Sequence, residues 1–283
     1  MFNDRKIAFV GAGVMGEAMI AGLLRQGSAG VESLVAAEPR PERIEELRKQ
    51  YGIAVTPDNA AAADNADVVV LSVKPQSLKK ALASLKGHIH PHALVLSIVA
   101  GAPIGKIANG LNHQAIVRSM PNTPAQIGEG ITVWTAALSV SEEQREMAQE
   151  ILRALGEQVY VDEENFLDMA TALSGTGPAY VFLFMEALVD AGVHLGFQRG
   201  VAEKLVAHTM RGSVDYYFSK QNSVHLATLR NQVTSPSGTT AAALYYLEKA
   251  GFRTALSRAI WAAYERSQEL GRGAATHKPD NSD

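Results

Sequence analysis

The sequence predicts an α/β domain built on a doubly wound parallel sheet, residues 1–163, followed by an all-helical domain, 164–270, and a disordered tail, 271–283. Three observations carry this reading. Short β-rich runs alternate with helical patterns through the first 160 residues. A glycine-rich turn joins the first strand pattern to the first helix pattern. From about residue 167 the strand patterns stop and only helical ones follow. Strand-helix alternation with apolar strands means a parallel sheet covered on both faces.

In chain order, the strand candidates are 6–10, 33–37, 68–73, 93–99, 115–120, 132–136 and 158–161. Helical patterns at 15–26, 41–51, 76–85 and 141–155 lie between them. The later helices are expected at 179–195, 200–219, 223–232, 239–249 and 253–270, separated by Gly, Pro or Ser-Pro breaks. The segment 179–195 is apolar on every face, with Tyr180, Val181, Phe182, Leu183, Phe184 and Met185 in succession. A helix of that kind is buried in a large core or between subunits. With only about 110 residues available to cover it, a subunit interface is the expectation.

Composition narrows the function classes. A chain of 283 residues, 47% apolar and 19% charged, is long enough for two cored domains. The net charge of −3 and the absence of a Lys/Arg block argue against a nucleic-acid surface or a polybasic membrane patch. There are no cysteines, which excludes disulfides, thiol catalysis and Cys-ligated zinc. The polar start, residues 1–6, does not read as a signal peptide, and no uninterrupted apolar run approaches the roughly 20 residues of a membrane span. A cytoplasmic enzyme is expected. His88, His90 and His92 alternate in a loop without supporting carboxylates, so no metal site is expected.

The glycine turn is Gly11-Ala12-Gly13-Val14-Met15-Gly16, placed directly after the strand pattern. In this G-x-G-x-x-G the first Gly permits a tight turn, the second lets the backbone reach a pyrophosphate, and the third lets helix and strand approach closely. The helix N-terminus then faces the anion with free N–H groups. This is the dinucleotide fingerprint of a Rossmann-type domain. Glu38, after the second strand, reads either as the acid that accepts from an adenosine ribose 2′-OH or as a solvated loop acid. The first reading favours NAD(H) and repels the 2′-phosphate of NADP(H), which Arg40 and Arg43 would offset. Ser72-Val73-Lys74-Pro75 follows an apolar strand, where open sheets bind ligands, and Lys74 there either serves the cofactor or caps a turn.

A second loop, Val233-Thr234-Ser235-Pro236-Ser237-Gly238-Thr239-Thr240, sets five hydroxyls in eight residues before a helix. Such loops are usually N-caps. Beside a nucleotide domain, the same backbone N–H groups can receive a substrate carboxylate. The Ser-Pro-Ser-Gly-Thr-Thr segment resembles the signature of the pyrroline-5-carboxylate reductase family. The likeness extends through Gly11–Gly16, Val73-Lys74-Pro75, Met120-Pro121-Asn122-Thr123-Pro124 and Leu173-Ser174-Gly175-Thr176-Gly177-Pro178-Ala179-Tyr180.

The resemblance implies a homodimer or higher oligomer with interlocking helical dimerisation domains, acting in proline biosynthesis. It implies that Ser235, Gly238 and Thr239 hold the substrate carboxylate and that Thr240 bonds the ring nitrogen. Gly11, Ala12, Gly13, Val14, Met15, Gly16, Glu38, Asn59, Val73, Lys74 and Pro75 would line the cofactor, with Ser97 and Ala100 nearby and Glu164 near the substrate. It also implies NADPH, whereas Glu38 favours NADH. Ser237 stands where the family carries Gly, which matters if that position requires positive φ. The loop offers hydroxyls and N–H groups but no strong acid, which suits an imine better than a carbonyl. A β-hydroxyacid dehydrogenase, the nearest rival, would need a Lys early in the helical domain, and none stands between Lys106 and Lys204.

Overall fold

The computed structural model describes residue 2, residues 4–220 and residues 224–272. These form two compact units, the described residues up to Thr176 together with those from Ala263, and Gly177–Ala262. The tail expected to be disordered lies, from residue 273, outside the described residues, while Gly271 and Arg272 still belong to a helix.

The first unit is built on strands β1 (Ile7–Val10), β2 (Leu34–Ala37), β3 (Ala54–Thr56), β4 (Val68–Leu71), β5 (Leu94–Ser97), β6 (Ile116–Met120), β7 (Gly130–Ala136) and β8 (Gly156–Tyr160). They form one sheet in the order β3-β2-β1-β4-β5-β6-β7-β8. Every residue of β1, β2, β4 and β5 is buried, as a sheet covered on both faces requires. Side chains alternate between two cores. Ile7 and Phe9 pack with Met19, Leu23, Trp134 and Ile151 on one face, and Ala8 and Val10 with Leu71, Leu82 and Ile107 on the other. The covering helices are α1 (Val14–Gln26), α2 (Pro41–Tyr51) and α6 (Glu142–Arg153) on the first face, and α3 (Asn59–Ala63), α4 (Leu78–Leu85) and α5 (Ile104–Leu111) on the second. A short helix, α7 (Phe166–Ala170), continues into a π turn at Thr171–Gly175.

One strand departs from the expected all-parallel pairing, since β7 runs antiparallel to β6. The chain between Met120 and Gly130 holds only a 3₁₀ turn, Thr123–Ile127, and a parallel crossover needs a dozen or more residues. β8 then returns parallel to β7 through α6, whose start carries a reciprocal capping box between Ser141 and Gln144.

The second unit contains α8 (Gly177–His194), α9 (Arg199–Ser219), α10 (Leu226–Gln232), α11 (Thr239–Lys249) and the first part of α12 (Phe252–Arg272). Among its described residues only Val189 and Ala202 are buried. Phe182, Leu183 and Trp261 are each more than 60% exposed, whereas Phe184 is half-buried against Phe252 with ring centroids 6.0 Å apart. The helical span Phe166–His194 runs through α7, the π turn and α8. By length and composition, with a hydropathy of 1.3, it would be able to cross a membrane, although Asp168, Glu186 and Asp190 interrupt its apolar residues.

Candidate active site

The chain runs from β1 outward through β2 and β3, then returns to β4 on the other side of β1. That reversal opens a crevice at the carboxyl ends of β1 and β4. The turn Gly11–Gly16 lies there, and each glycine has its own reason. Gly11 has φ +95°, and a Cβ on it would press within 2.9 Å of the Ser72 carbonyl. A Cβ on Gly16 would collide with the Gly11 carbonyl and approach Ser72 Oγ at 2.9 Å. A Cβ on Gly13 would meet no protein atom within 4 Å, so this residue faces open space. Gly13 is also the N-cap of α1 and supplies no side-chain cap. The first N–H groups of α1 are thus left for an anion. Ser72 braces the turn by donating its hydroxyl to the Gly11 carbonyl at 2.6 Å.

A cleft of about 500 Å³ extends from this turn, lined by Gly11, Gly13, Glu38, Asn59, Val73 and Lys74 among others. Of the residues singled out in the sequence, the structure therefore brings these six together. Arg40, whose charge the sequence sets against that of Glu38, and Ser72 also line it, and Lys80 adds a positive charge that sequence spacing alone did not reveal. Asn59 donates its amide to Ser84 Oγ at 2.9 Å. Lys74 is exposed and N-caps the 3₁₀ turn Pro75–Ser77 through its backbone, with no side-chain cap. Ala12 is fully buried, Val14 exposed and Met15 half-buried. Ser97 lies at the buried end of β5, where its hydroxyl accepts from Val99 N–H at 3.2 Å, and Ala100 follows in the next turn.

Glu38 is 4% exposed, which removes the reading of a solvated loop acid. Its carboxylate accepts from Arg40 Nε at 2.7 Å and from the Arg40 backbone N–H at 3.2 Å. Burial opposes its ionisation, but the hydrogen bonds and charge of Arg40, with the Ala12 N–H, outweigh burial and hold the carboxyl below the usual carboxylate range.

Glu164, implied near the substrate, has its Oε1 engaged by Ile104 N–H at 2.7 Å and Arg118 Nη1 at 3.0 Å. Arg118, on β6 and 4% exposed, also donates to Asp168 Oδ1 at 3.1 Å, and Ser267 Oγ donates to the same oxygen at 2.8 Å. Nothing in the sequence flagged Arg118, Asp168 or Ser267, because such networks join residues far apart along the chain.

In the second unit, Gly238 is the N-cap of α11 and provides no side-chain cap. Among the described residues the hydroxyls of Ser235, Thr239 and Thr240 make no hydrogen bond, which leaves them and the first N–H groups of α11 available. The N-capping role these hydroxyls usually take is therefore not what the loop does here. A Cβ on Gly238 would collide with Ser235 Oγ, so the close turn demands glycine. Ser237 adopts φ +59°, the left-handed conformation that favours glycine.

A doubly wound sheet with an uncapped glycine turn at its switch point, a buried acid beyond β2 and a helical second unit defines a dinucleotide-dependent oxidoreductase class. Residues 164–270 match the family profile described as pyrroline-5-carboxylate reductase dimerisation, and residues 6–101 match one described as NADP oxidoreductase, coenzyme F420-dependent. The chain is 43% identical to a pyrroline-5-carboxylate reductase from Synechocystis over 94% of its own length and 98% of that protein's. A Pseudomonas aeruginosa protein of the same name is 40% identical over 94% and 96%. The crystal structure of Plasmodium falciparum pyrroline carboxylate reductase with NADP bound superposes with a TM-score of 0.87 at 32% identity, covering 96% of this chain and 100% of that one. The chain belongs to the pyrroline-5-carboxylate reductase family.

Proposed function

We propose that the chain transfers hydride from a reduced nicotinamide cofactor to the C=N bond of 1-pyrroline-5-carboxylate, giving L-proline in the last step of proline biosynthesis. It does so in the cytoplasm as a homodimer or higher homo-oligomer. The observation that carries this reading is the bare start of α11, where Ser235, Thr239 and Thr240 keep their hydroxyls unengaged around Gly238. Its N–H groups and the Ser235 and Thr239 hydroxyls hold the substrate carboxylate, and Thr240 bonds the ring nitrogen. When bound in the Gly11–Gly16 cleft, the reduced nicotinamide supplies the hydride. The protonated imine carbon receives that hydride, and the C=N π pair becomes the nitrogen lone pair of a neutral amine. No acid is needed to quench an alkoxide, which agrees with a loop that carries none.

Gly11–Gly16, Glu38, Asn59 and Val73-Lys74-Pro75 hold the cofactor, with Ser97 and Ala100 toward its nicotinamide end. NADPH is used, as the relatives' family would have it, and the Arg40 partner makes Glu38 tolerable beside a phosphate. NADH competes because Glu38 retains its charge.

Thr240→Val tests the chemical role, since it keeps the β-branched shape and deletes the hydroxyl. Turnover should fall about ten- to a hundredfold, the loss of one hydrogen bond worth roughly 1–3 kcal/mol. Cofactor affinity should stay unchanged. Normal turnover with a lowered melting temperature would instead leave Thr240 a purely structural residue.

A further inference from the structure

The β5–α5 loop, residues 98–103, leaves the carboxyl end of β5, on the opposite side of β1 from β2 and Glu38. A dinucleotide laid across the strand ends with its adenosine ribose at Glu38 places its nicotinamide on this side. From this geometry we infer that Arg118, Glu164, Asp168 and Ser267 form a positioning clasp that holds the loop, and through it the nicotinamide, in register for hydride transfer.

Two contacts fasten the loop. α5 begins with Pro103 as its N-cap, which offers no side-chain acceptor, so its first N–H groups need another partner. Glu164 Oε1 accepts from Ile104 N–H at 2.7 Å and serves as that cap from a distant part of the chain. On the other side, Gly101 at φ +64° packs against the end of α12, where a Cβ would stand 2.8 Å from Leu270 Cβ and 3.3 Å from Gly271 N. Arg118 ties the two anchors together, since it donates to Glu164 at 3.0 Å and to Asp168 at 3.1 Å. Asp168 in turn accepts from Ser267 at 2.8 Å, one turn before Leu270 on α12.

An ionic network around a buried arginine is a poor source of stability compared with apolar packing, but it selects one arrangement of the groups it joins. Here it joins Ile104, where the loop enters α5, to the stretch of α12 on which Gly101 packs. The clasp also gives Glu164 an occupation other than touching substrate, because one of its oxygens already serves Ile104 and Arg118.

The kinetic test rests on the proposed reductase reading. In the full-length enzyme, Glu164→Ala should raise KM for the reduced cofactor and lower kcat, each about tenfold, with KM for the imine unchanged. The isotope effect from cofactor deuterated at the transferring position should rise. Glu164→Gln keeps an acceptor for Ile104 N–H and should recover most of the loss. Ser267→Ala deletes one hydroxyl and should show the same pattern at smaller amplitude, which keeps the test alive if Glu164→Ala does not fold. A rise in KM for the imine alone would make Glu164 a substrate contact and overturn the clasp. A lower melting temperature with unchanged constants per active site would overturn it too. Should the wild type fail to reduce the imine, the reductase reading falls by itself. Binding of reduced nicotinamide nucleotide, followed by its fluorescence, still judges the clasp: weaker binding in Glu164→Ala supports it, and equal binding overturns it.

Discussion

The carboxylate of Glu38 is buried, charged and satisfied by the Arg40 side chain, the Arg40 N–H and the Ala12 N–H. Replacing it with Ser removes a negative charge from the ribose end of the cleft and frees the half-exposed Arg40 guanidinium to meet a phosphate. Glu38→Ser should therefore raise the ratio of kcat/KM for NADPH over NADH by about ten- to a hundredfold, the equivalent of 1–3 kcal/mol. An unchanged ratio in paired steady-state assays would remove Glu38 from the ribose site. The same residue predicts a pH effect. Its folded pKa lies below its unfolded value, so its stabilisation is present above the unfolded pKa of about 4.3 and disappears as pH falls through the folded value. Urea midpoints of Glu38→Ser should accordingly fall less steeply than those of the native chain on acidification. Glu38 was legible in the sequence as an acid directly after the second strand pattern, though its burial was not. Its Arg40 clamp was half legible, since the charge was visible but its pairing with the acid was not.

At the scale of elements, legibility followed pattern strength. The buried strands β1, β4 and β5 and the long helices α1, α6 and α9 announce themselves by apolar runs or helical periodicity. β3 is too short to show alternation, and α5 carries Gly105, Asn109 and Gly110, poor helix formers that its packing on α4 and β6 overrides. The antiparallel turn of β7 was hidden because strand patterns do not encode direction; only the short connection after Met120 does. The loop before α11 was legible as a turn that ends at a helix start. Ser237 sits there with φ +59° in place of Gly. A non-Gly residue pays roughly 1–2 kcal/mol in that region, and Gly loses about 0.5–1 kcal/mol more chain entropy on folding. Ser237→Gly should thus stabilise the protein by about 0.5–1 kcal/mol, read as a higher urea midpoint at unchanged slope. An equal or lower midpoint would show that the loop relaxes in solution to a conformation serine accepts.

For the whole molecule, the decisive feature is the helical unit with Val189 and Ala202 as its only buried members among the described residues. The length and apolarity of the helix through α8 would satisfy a membrane criterion, yet the match of residues 164–270 to a dimerisation profile supports a second copy as the covering surface. Leu183, 66% exposed, is a better probe of that surface than the half-buried Phe184. Leu183→Asp should yield monomers or insoluble chain, because an unpaired charge in an apolar interface costs several kcal/mol. A soluble dimer of normal activity would show that α8 faces water. The missing core also sets a clock for folding. The sheet unit can collapse as fast as its own chain diffuses, but helices that bury so little alone must wait for an encounter. Refolding from urea should then show two phases, an early one independent of protein concentration and a later, second-order one that carries the return of activity and halves its half-time when the chain concentration doubles.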